Sequence, residues 1–110
     1  MSKVQIAKNT NIGSGHCFVG HSDVPAGAPK DFMTAYSEPS KRTVYIENQP
    51  IATVGTTGHT DCGHTSIALT GSSTVFAEKL AVHRVNDIGS IVEGTGLYAG
   101  LTGSNTVWTN

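Results

Sequence analysis

Apolar residues in the second half of the chain recur at fixed positions between polar ones. Leu69-Thr-Gly-Ser-Ser-Thr-Val-Phe76 returns as Leu101-Thr-Gly-Ser-Asn-Thr-Val-Trp108, offset by 32 residues, and a shorter copy ends in Thr43-Val-Tyr45. Repeats with a period of about 30 residues are typical of one supersecondary unit that is copied, with neighbouring copies burying each other's apolar faces. The pattern therefore predicts three repeated units.

Each unit is predicted to contain a strand, a tight turn, a second strand and a long glycine-rich loop. Residues 45–54 align with residues 76–85, and Pro50 favours a turn in the first of these segments. The segment 77–83 has helical propensity, but in the alignment it lies opposite Pro50, which would interrupt a helix. Strands are therefore predicted in both copies. The long loops are predicted at residues 11–42, 55–67 and 87–100, with a short helical turn allowed at residues 30–36.

Composition supports a mainly β protein and a single domain over residues 1–110. Thr, Gly and Ser number 14, 13 and 10, and Val plus Ile number 17 against 4 Leu. β-branched residues favour strands, whereas helices favour Leu and Ala. A formal net charge of −1 argues against nucleic-acid binding, and 14% charged residues argue against disorder. No apolar run is long enough to span a bilayer, and the first residues do not resemble a secretory signal.

Candidate metal ligands are concentrated in the first two predicted loops. The tightest group is His59-Thr-Asp-Cys62-Gly-His64, in which imidazole and thiol groups alternate with small or polar residues. These are the ligands that zinc prefers in tetrahedral sites. A fourth ligand is expected from His16 in the preceding loop, so the predicted zinc ligands are His16, His59, Cys62 and His64.

The remaining histidines and cysteine have other predicted roles. Cys17 follows His16 directly and would have difficulty in binding the same ion, so a buried free thiol is expected, with a Cys17–Cys62 disulfide as the alternative. His21 is expected to be a solvated loop residue or an alternate ligand. His83 falls on a predicted strand and is expected at its surface or at an interface.

Three His and one Cys would close the coordination sphere, which indicates a structural metal rather than a catalytic one. The alternatives are a small metal-dependent hydrolase or redox protein, with a carboxylate from Asp61, Asp87 or Glu93, and a metal-free structural module.

The repeats also resemble a known family. Gly71-Ser-Ser-Thr-Val-Phe76 and Gly103-Ser-Asn-Thr-Val-Trp108 are similar to the Gly-Ser-x-x-Val-aromatic repeats of PAAR-motif proteins. The Pro-Ala-Ala-Arg stretch of that family corresponds to Pro50-Ile-Ala-Thr53 and Ala81-Val-His-Arg84, and neither is a full match. Gly15-His16 resembles the early Gly-His of the family. The resemblance covers residues 42–110 and the first loop.

The resemblance implies a small conical β-structure, a pyramid of three PAAR-like strand-turn-strand repeats with long glycine-rich loops and a zinc-held point. Such proteins cap the trimeric β-helical spike of phage contractile tails and of type VI secretion systems. The implied function is a non-enzymatic tip that sharpens the spike and contacts the target cell envelope. It implies a location in the virion, at the tail baseplate, with a type VI-like machine as the alternative. Val75, Phe76, Val107 and Trp108 are candidates for core positions or for the wide end that meets the spike.

The family's zinc is typically held by three histidines and one cysteine. By position, the histidines correspond to His16, His59 and His64. The family's cysteine usually lies in the loop of the last repeat, but residues 86–94 contain none, so the role is transferred to Cys62. Cys17, His21 and Asp87 stay open as substitutes for the fourth ligand.

Overall fold

The computed structural model describes residues 4–18, 25, 28–39 and 44–109, and this part of the chain contains strands and no helix. Consequently, no helix in these ranges is long and apolar enough to cross a membrane. The strands are β1 (Val4–Gln5), β2 (Ile12–Cys17), β3 (Lys30–Glu38), β4 (Tyr45–Ile46), β5 (Gln49–Pro50), β6 (Thr57–Thr60), β7 (Thr65–Ala68), β8 (Phe76–Ala77), β9 (Leu80–Ala81), β10 (Ile88–Ile91), β11 (Gly96–Gly100) and β12 (Trp108–Thr109). The mainly β class predicted from composition is confirmed.

Six of the strands form a closed antiparallel barrel in the order β10-β11-β2-β3-β6-β7. The barrel consists of three antiparallel pairs formed by strands that are consecutive in the chain, namely β2 with β3, β6 with β7 and β10 with β11. These pairs occupy most of the described part of the segments predicted as long loops, so that prediction is wrong. The helical turn allowed at residues 30–36 is also wrong, because Phe32, Thr34 and Tyr36 alternate inward along β3.

The loop prediction failed because it treated the glycines as loop residues, whereas these glycines lie in strands and make room inside the barrel. A Cβ atom at Gly89 would lie 2.2 Å from Cζ of Tyr98, and one at Gly13 would lie 2.6 Å from Cδ1 of the same ring. A Cβ at Gly58 would lie 2.1 Å from the Ala35 carbonyl oxygen. Glycine within a strand often marks such a close approach rather than a loop. The large Tyr98 side chain therefore fits only because two strands facing it carry no side chain at these points.

Two short hairpins confirm the strands predicted from the repeat. Strand β4 pairs with β5 and β8 pairs with β9, each through a two-residue turn. The turn residues have positive φ: 52° at Glu47, 66° at Asn48, 48° at Glu78 and 73° at Lys79. Two successive positive φ angles are the geometry of a type I′ turn, whose twist suits a two-strand hairpin. The register of the repeat thus overrides the helical propensity of residues 77–83.

The third short pair is formed by the two ends of the described chain. Strand β12 pairs antiparallel with β1, with Thr109 opposite Val4 and Trp108 opposite Gln5. The Thr-Val-aromatic motif of the last copy therefore finds its partner strand more than 100 residues earlier in the chain. The sequence offers a weak signal for this pairing, because Ile6-Ala7 matches Ile51-Ala52 in the first copy.

A cyclic set of backbone hydrogen bonds links the segments that follow the three short pairs. The Ala7 N–H donates to the His83 carbonyl at 2.9 Å, the His83 N–H to the Ala52 carbonyl at 2.9 Å, and the Ala52 N–H to the Ala7 carbonyl at 3.0 Å. Three isolated bridges repeat the same cyclic order: Ile6 with Arg84, Lys8 with Ile51, and Thr53 with Val82. We call these three segments, which are joined at Ala7, Ala52 and His83, the ring. The barrel strands lead away from the ring and turn at the other end.

The repeated Leu-Thr-Gly-Ser motif has a structural explanation in this ring. The buried Ser104 hydroxyl accepts hydrogen bonds from the N–H groups of Thr106 and Val107, and Ser72 accepts equivalent bonds in the preceding copy. The Ser104 N–H donates to the Ile6 carbonyl at 2.8 Å. Each serine therefore fixes the turn that leads into a short pair and attaches it to the ring.

Two buried apolar clusters form the core. One lies inside the barrel and contains Ala7, Cys17, Phe32, Tyr36, Ala52, Ile91 and Tyr98. The other lies beneath the short pairs and contains Ile6, Ile46, Ile51, Ala77 and Val82, with Val44, Val75 and Val107 packed against it. Of the four residues predicted for core or base positions, the two valines therefore pack on the core, whereas Phe76 and Trp108 are exposed.

Candidate metal centre

Cys17, Cys62 and His64 come together at the end of the barrel that is distant from the ring. Cys17 is the last residue of β2 and is fully buried, while Cys62 and His64 lie in the turn between β6 and β7 and are half-buried. The two sulfur atoms and an imidazole nitrogen all lie within 4.8 Å of one another. Donors from two separate hairpins therefore meet at one point.

The β6–β7 turn holds its two donors in place through Thr60. The His64 N–H donates to Thr60 Oγ1 at 2.8 Å, and this hydroxyl also lies 3.1 Å from the His64 carbonyl. The Thr60 N–H donates to the His64 carbonyl at 2.9 Å. Gly63 sits between the donors with a φ of +91°, a left-handed conformation that is easiest for glycine. The turn is consequently short enough to present Cys62 and His64 on the same side.

The nitrogen–sulfur distances of the group match those around a tetrahedral metal ion. Zinc bonds of about 2.3 Å to sulfur and about 2.0–2.1 Å to nitrogen at the tetrahedral angle place sulfur and nitrogen about 3.5 Å apart. Nδ1 of His64 lies 3.4 Å from Cys62 Sγ and 3.8 Å from Cys17 Sγ. Thiolate and imidazole donors also suit the soft preference of this metal. The group can therefore hold a metal ion in both chemistry and geometry.

Polar groups next to the donors hold this turn in place. Thr60 Oγ1, which donates to the His64 carbonyl, lies 3.2 Å from Cys62 Sγ. Glu93, in the turn between β10 and β11, accepts a hydrogen bond from the Thr65 N–H at 2.7 Å. This bond, with a smaller contribution from His64, lowers the pKa of the Glu93 carboxyl group. Thr60 and Glu93 thus fix the backbone on either side of His64.

The structure does not bring His16 and His59 to this group. His16 is exposed on β2, where its Nδ1 lies 2.6 Å from Oδ1 of Asp31, and His59 is exposed on β6. Because successive residues of a strand point to opposite faces, the inward direction of Cys17 and Thr60 forces both neighbouring histidines outward. His16 instead lines an outer cleft of about 600 Å³ that includes Asp31, Met33 and Leu97. Of the four predicted ligands, Cys62 and His64 are brought together.

The structure describes two of the three residues that were proposed as substitutes for the fourth metal ligand. Asp87 directly precedes β10 at its ring end, where its carboxylate accepts hydrogen bonds from the backbone N–H and the guanidinium of Arg84. His21 lies outside the described residues. Cys17 and Cys62 do not form a disulfide. Cys17 is the buried thiol expected from the sequence and also a member of the group.

The prediction that His83 lies at a strand surface or an interface is wrong. His83 is fully buried, and its Nδ1 lies 2.7 Å from the Thr70 carbonyl, which can only accept a hydrogen bond. Nδ1 therefore carries the proton, and Nε2 accepts a hydrogen bond from the Tyr36 hydroxyl at 2.9 Å. Burial lowers the pKa of His83 and raises the pKa values of Tyr36 and Tyr98, whose rings pack against the imidazole. The neutral histidine is thus part of the barrel core.

Sequence reasoning keeps Cys17 only as a substitute ligand because it treats residues 11–42 as a loop. A usable signal is present in the sequence: Ile6, Ala7 and Gly13 recur 45 residues later as Ile51, Ala52 and Gly58. The same offset relates Cys17 to Cys62. Equivalent positions of successive units therefore point to the same end of the barrel.

Models of known protein families give no match, and curated protein sequences give none either.

Proposed function

We propose that this protein is a metal-stabilised tip that caps a trimeric β-helical spike and sharpens it for penetration of a target cell envelope. In this proposal the protein is a non-enzymatic pyramid of three PAAR-like repeats. The hairpin turns with the Cys17, Cys62 and His64 group form the zinc-held point, and the ring end with its short pairs faces the spike.

The observation that carries the proposal is the threefold arrangement of the ring end. Each of its three short pairs exposes one aromatic side chain at the matching position: Tyr45 is 56% exposed, Phe76 is 57% exposed and Trp108 is 49% exposed. The adjacent residue of each pair is buried against the core. A single chain that repeats one feature three times around a ring is suited to a partner with threefold symmetry.

Aromatic side chains with this exposure are also suited to an interface. Tyr, Phe and Trp supply large contact areas and are enriched among residues that dominate binding energy. Three such groups on one end, with the metal group at the other, support one tip per spike trimer. We place the assembly in a phage tail baseplate, with a type VI-like secretion machine as the alternative, on the resemblance of the repeats alone.

Binding to a trimeric β-helical spike from the same source tests the proposal. Native mass spectrometry of the co-expressed proteins should give one tip chain per three spike chains. Phe76→Ser and Trp108→Ser should each weaken the complex at least tenfold. Leu97→Ser is the matched control, because Leu97 is 60% exposed on the flank of the barrel, and it should leave binding unchanged. Equal effects of all three changes, or no complex, would contradict the proposal.

A metal-dependent hydrolase is a second candidate because three donor residues meet among those described. A zinc ion with three protein ligands retains a fourth position for water, which is the arrangement of catalytic sites. X-ray absorption of the zinc protein separates the two functions. A coordination shell completed by a further protein ligand supports the tip, whereas an exchangeable oxygen ligand together with turnover supports the hydrolase.

A further inference from the structure

The thiol groups of Cys17 and Cys62 lie side by side although the two residues come from different hairpins. Cys17 ends β2 and Cys62 lies in the β6–β7 turn, and their sulfur atoms are at most 4.8 Å apart. A disulfide forms between residues whose side chains can reach each other with little backbone movement. A sulfur–sulfur separation of at most 4.8 Å places the two thiols close enough for this reaction to be tested.

We infer that the pair is a redox switch: a peroxide converts the two metal-binding thiolates into a Cys17–Cys62 disulfide and releases the metal. The inference rests on the proposed metal centre for its reduced form. The disulfide form depends only on the two thiols.

The chemistry balances with the peroxide as the two-electron oxidant. The thiolate of Cys62 attacks one peroxide oxygen, the O–O bond breaks, and a sulfenic acid and hydroxide form. The thiolate of Cys17 then attacks the Cys62 sulfur, an S–S bond forms, and the sulfenic oxygen leaves as a second hydroxide. The metal remains divalent and dissociates because a disulfide no longer supplies thiolate ligands.

Burial determines which sulfur reacts first. Cys17 is fully buried, whereas Cys62 is half-buried in the turn, where an oxidant can reach it. Thr60 Oγ1 lies 3.2 Å from Cys62 Sγ and keeps this sulfur at the turn. Cys62 is therefore the attacking thiol and Cys17 the resolving thiol.

Oxidation replaces one cross-link with another at the same place. In the reduced form the metal would connect β2 to the β6–β7 turn, and in the oxidised form the disulfide connects the same two elements. We expect the oxidised protein to remain folded and to lose its sensitivity to chelators.

The test treats the purified zinc-loaded protein with hydrogen peroxide and follows three signals. Zinc release is measured with a colorimetric chelator, free thiols are counted after denaturation, and intact mass is measured without reductant. The expected result is release of the bound zinc with loss of both thiols and a mass decrease of two hydrogen atoms. Added dithiothreitol should restore both thiols and zinc binding.

Two variants test the order of the steps. Cys17→Ser should accumulate a sulfenic acid on Cys62 that dimedone traps, whereas Cys62→Ser should react much more slowly at Cys17. Should either variant fail to fold, peptide mapping of the oxidised wild-type protein still identifies the linked residues. Persistence of both thiols, overoxidation without a disulfide, or a link between two chains would overturn the inference.

The same data distinguish failure of the two proposals. Protein that purifies without zinc but forms the disulfide contradicts the metal-held tip and leaves the thiol pair intact as a redox site. Protein that holds zinc and keeps both thiols under excess peroxide contradicts the switch alone.

Discussion

Replacement of His83 by alanine should be strongly destabilising, although alanine occupies the equivalent ring positions 7 and 52. The backbone of the ring therefore tolerates the change, and the cost arises from the side chain. The variant loses the hydrogen bonds of the imidazole to the Thr70 carbonyl and the Tyr36 hydroxyl. It also leaves a cavity beside Tyr36 and Tyr98.

The magnitude follows from these losses. A buried hydroxyl left without a partner costs about 1–3 kcal/mol, and the lost hydrogen bond to Thr70 adds about 1 kcal/mol. Together with a partly collapsed cavity, the total is about 3–5 kcal/mol. With an unfolding entropy of about 2.1 cal/mol/K per residue, this corresponds to a decrease in Tm of about 13–22 °C for this chain length.

Urea denaturation of His83→Ala, with His59→Ala as the control, measures this effect. His59 is exposed, so the same substitution there should change stability by less than about 0.5 kcal/mol. In the double variant His83→Ala/Tyr36→Phe the unpartnered hydroxyl is absent, and stability should exceed the additive expectation by about 1 kcal/mol or more. Strict additivity, or an effect of His83→Ala no larger than that of His59→Ala, would refute the reasoning.

Three further predictions concern the centre, the pH dependence and the turns. His64→Ala should abolish binding of about one zinc per chain and lower the Tm, whereas His16→Ala should retain zinc. Elemental analysis and thermal melts measure both effects. Equal zinc loss in the two variants would show that His64 is not a ligand. The pKa of His83 is lowered from its ordinary value of 6.5 by burial, so the unfolded chain binds its proton more readily. The contribution of His83 to stability in the presence of a chelator should therefore be complete above about pH 6.5 and decrease as the pH falls below it. Urea melts should show a smaller decrease in His83→Ala. A rise in stability on acidification would contradict the expected direction of the pH dependence. Thr10, with a φ of 77°, and Gly55, with a φ of 95°, occupy equivalent left-handed positions. In denaturant titrations, Thr10→Gly should therefore stabilise the protein by about 0.5–1 kcal/mol and Gly55→Thr should destabilise it by about 1–2 kcal/mol. Effects of the same sign would refute the equivalence.

The sequence predicts the short pairs well and the barrel poorly, for a physical reason. At Phe76–Ala81 a repeated motif fixed the alignment, and Pro50 in one copy excluded a helix in both. At β2, β6 and β10 the inward positions include Gly13, Gly58 and Gly89, whose missing side chains make room for Tyr98 or for a neighbouring backbone. No apolar alternation marks such strands, so they resemble loops in the sequence.

The candidate site was predicted in part for a related reason. Cys62 and His64 share one short turn, and their proximity follows from the sequence alone. The choice between His16 and Cys17 depends on which face of β2 points inward, and this cannot be judged for a segment interpreted as a loop. Of two adjacent donors on a strand, the one whose side chain points inward belongs to the centre, whatever its ligand chemistry.

The pairing of β1 with β12 has a consequence for the kinetics of folding. Val4 and Thr109 lie side by side although 105 positions separate them along the sequence. Pairings of high contact order form slowly because chain entropy is lost before the contact is gained. During synthesis the first two short hairpins can form as each leaves the ribosome, but the third pair must wait for β12. We therefore expect the ring to close last, with β1 left as an unsatisfied edge until the final strand arrives.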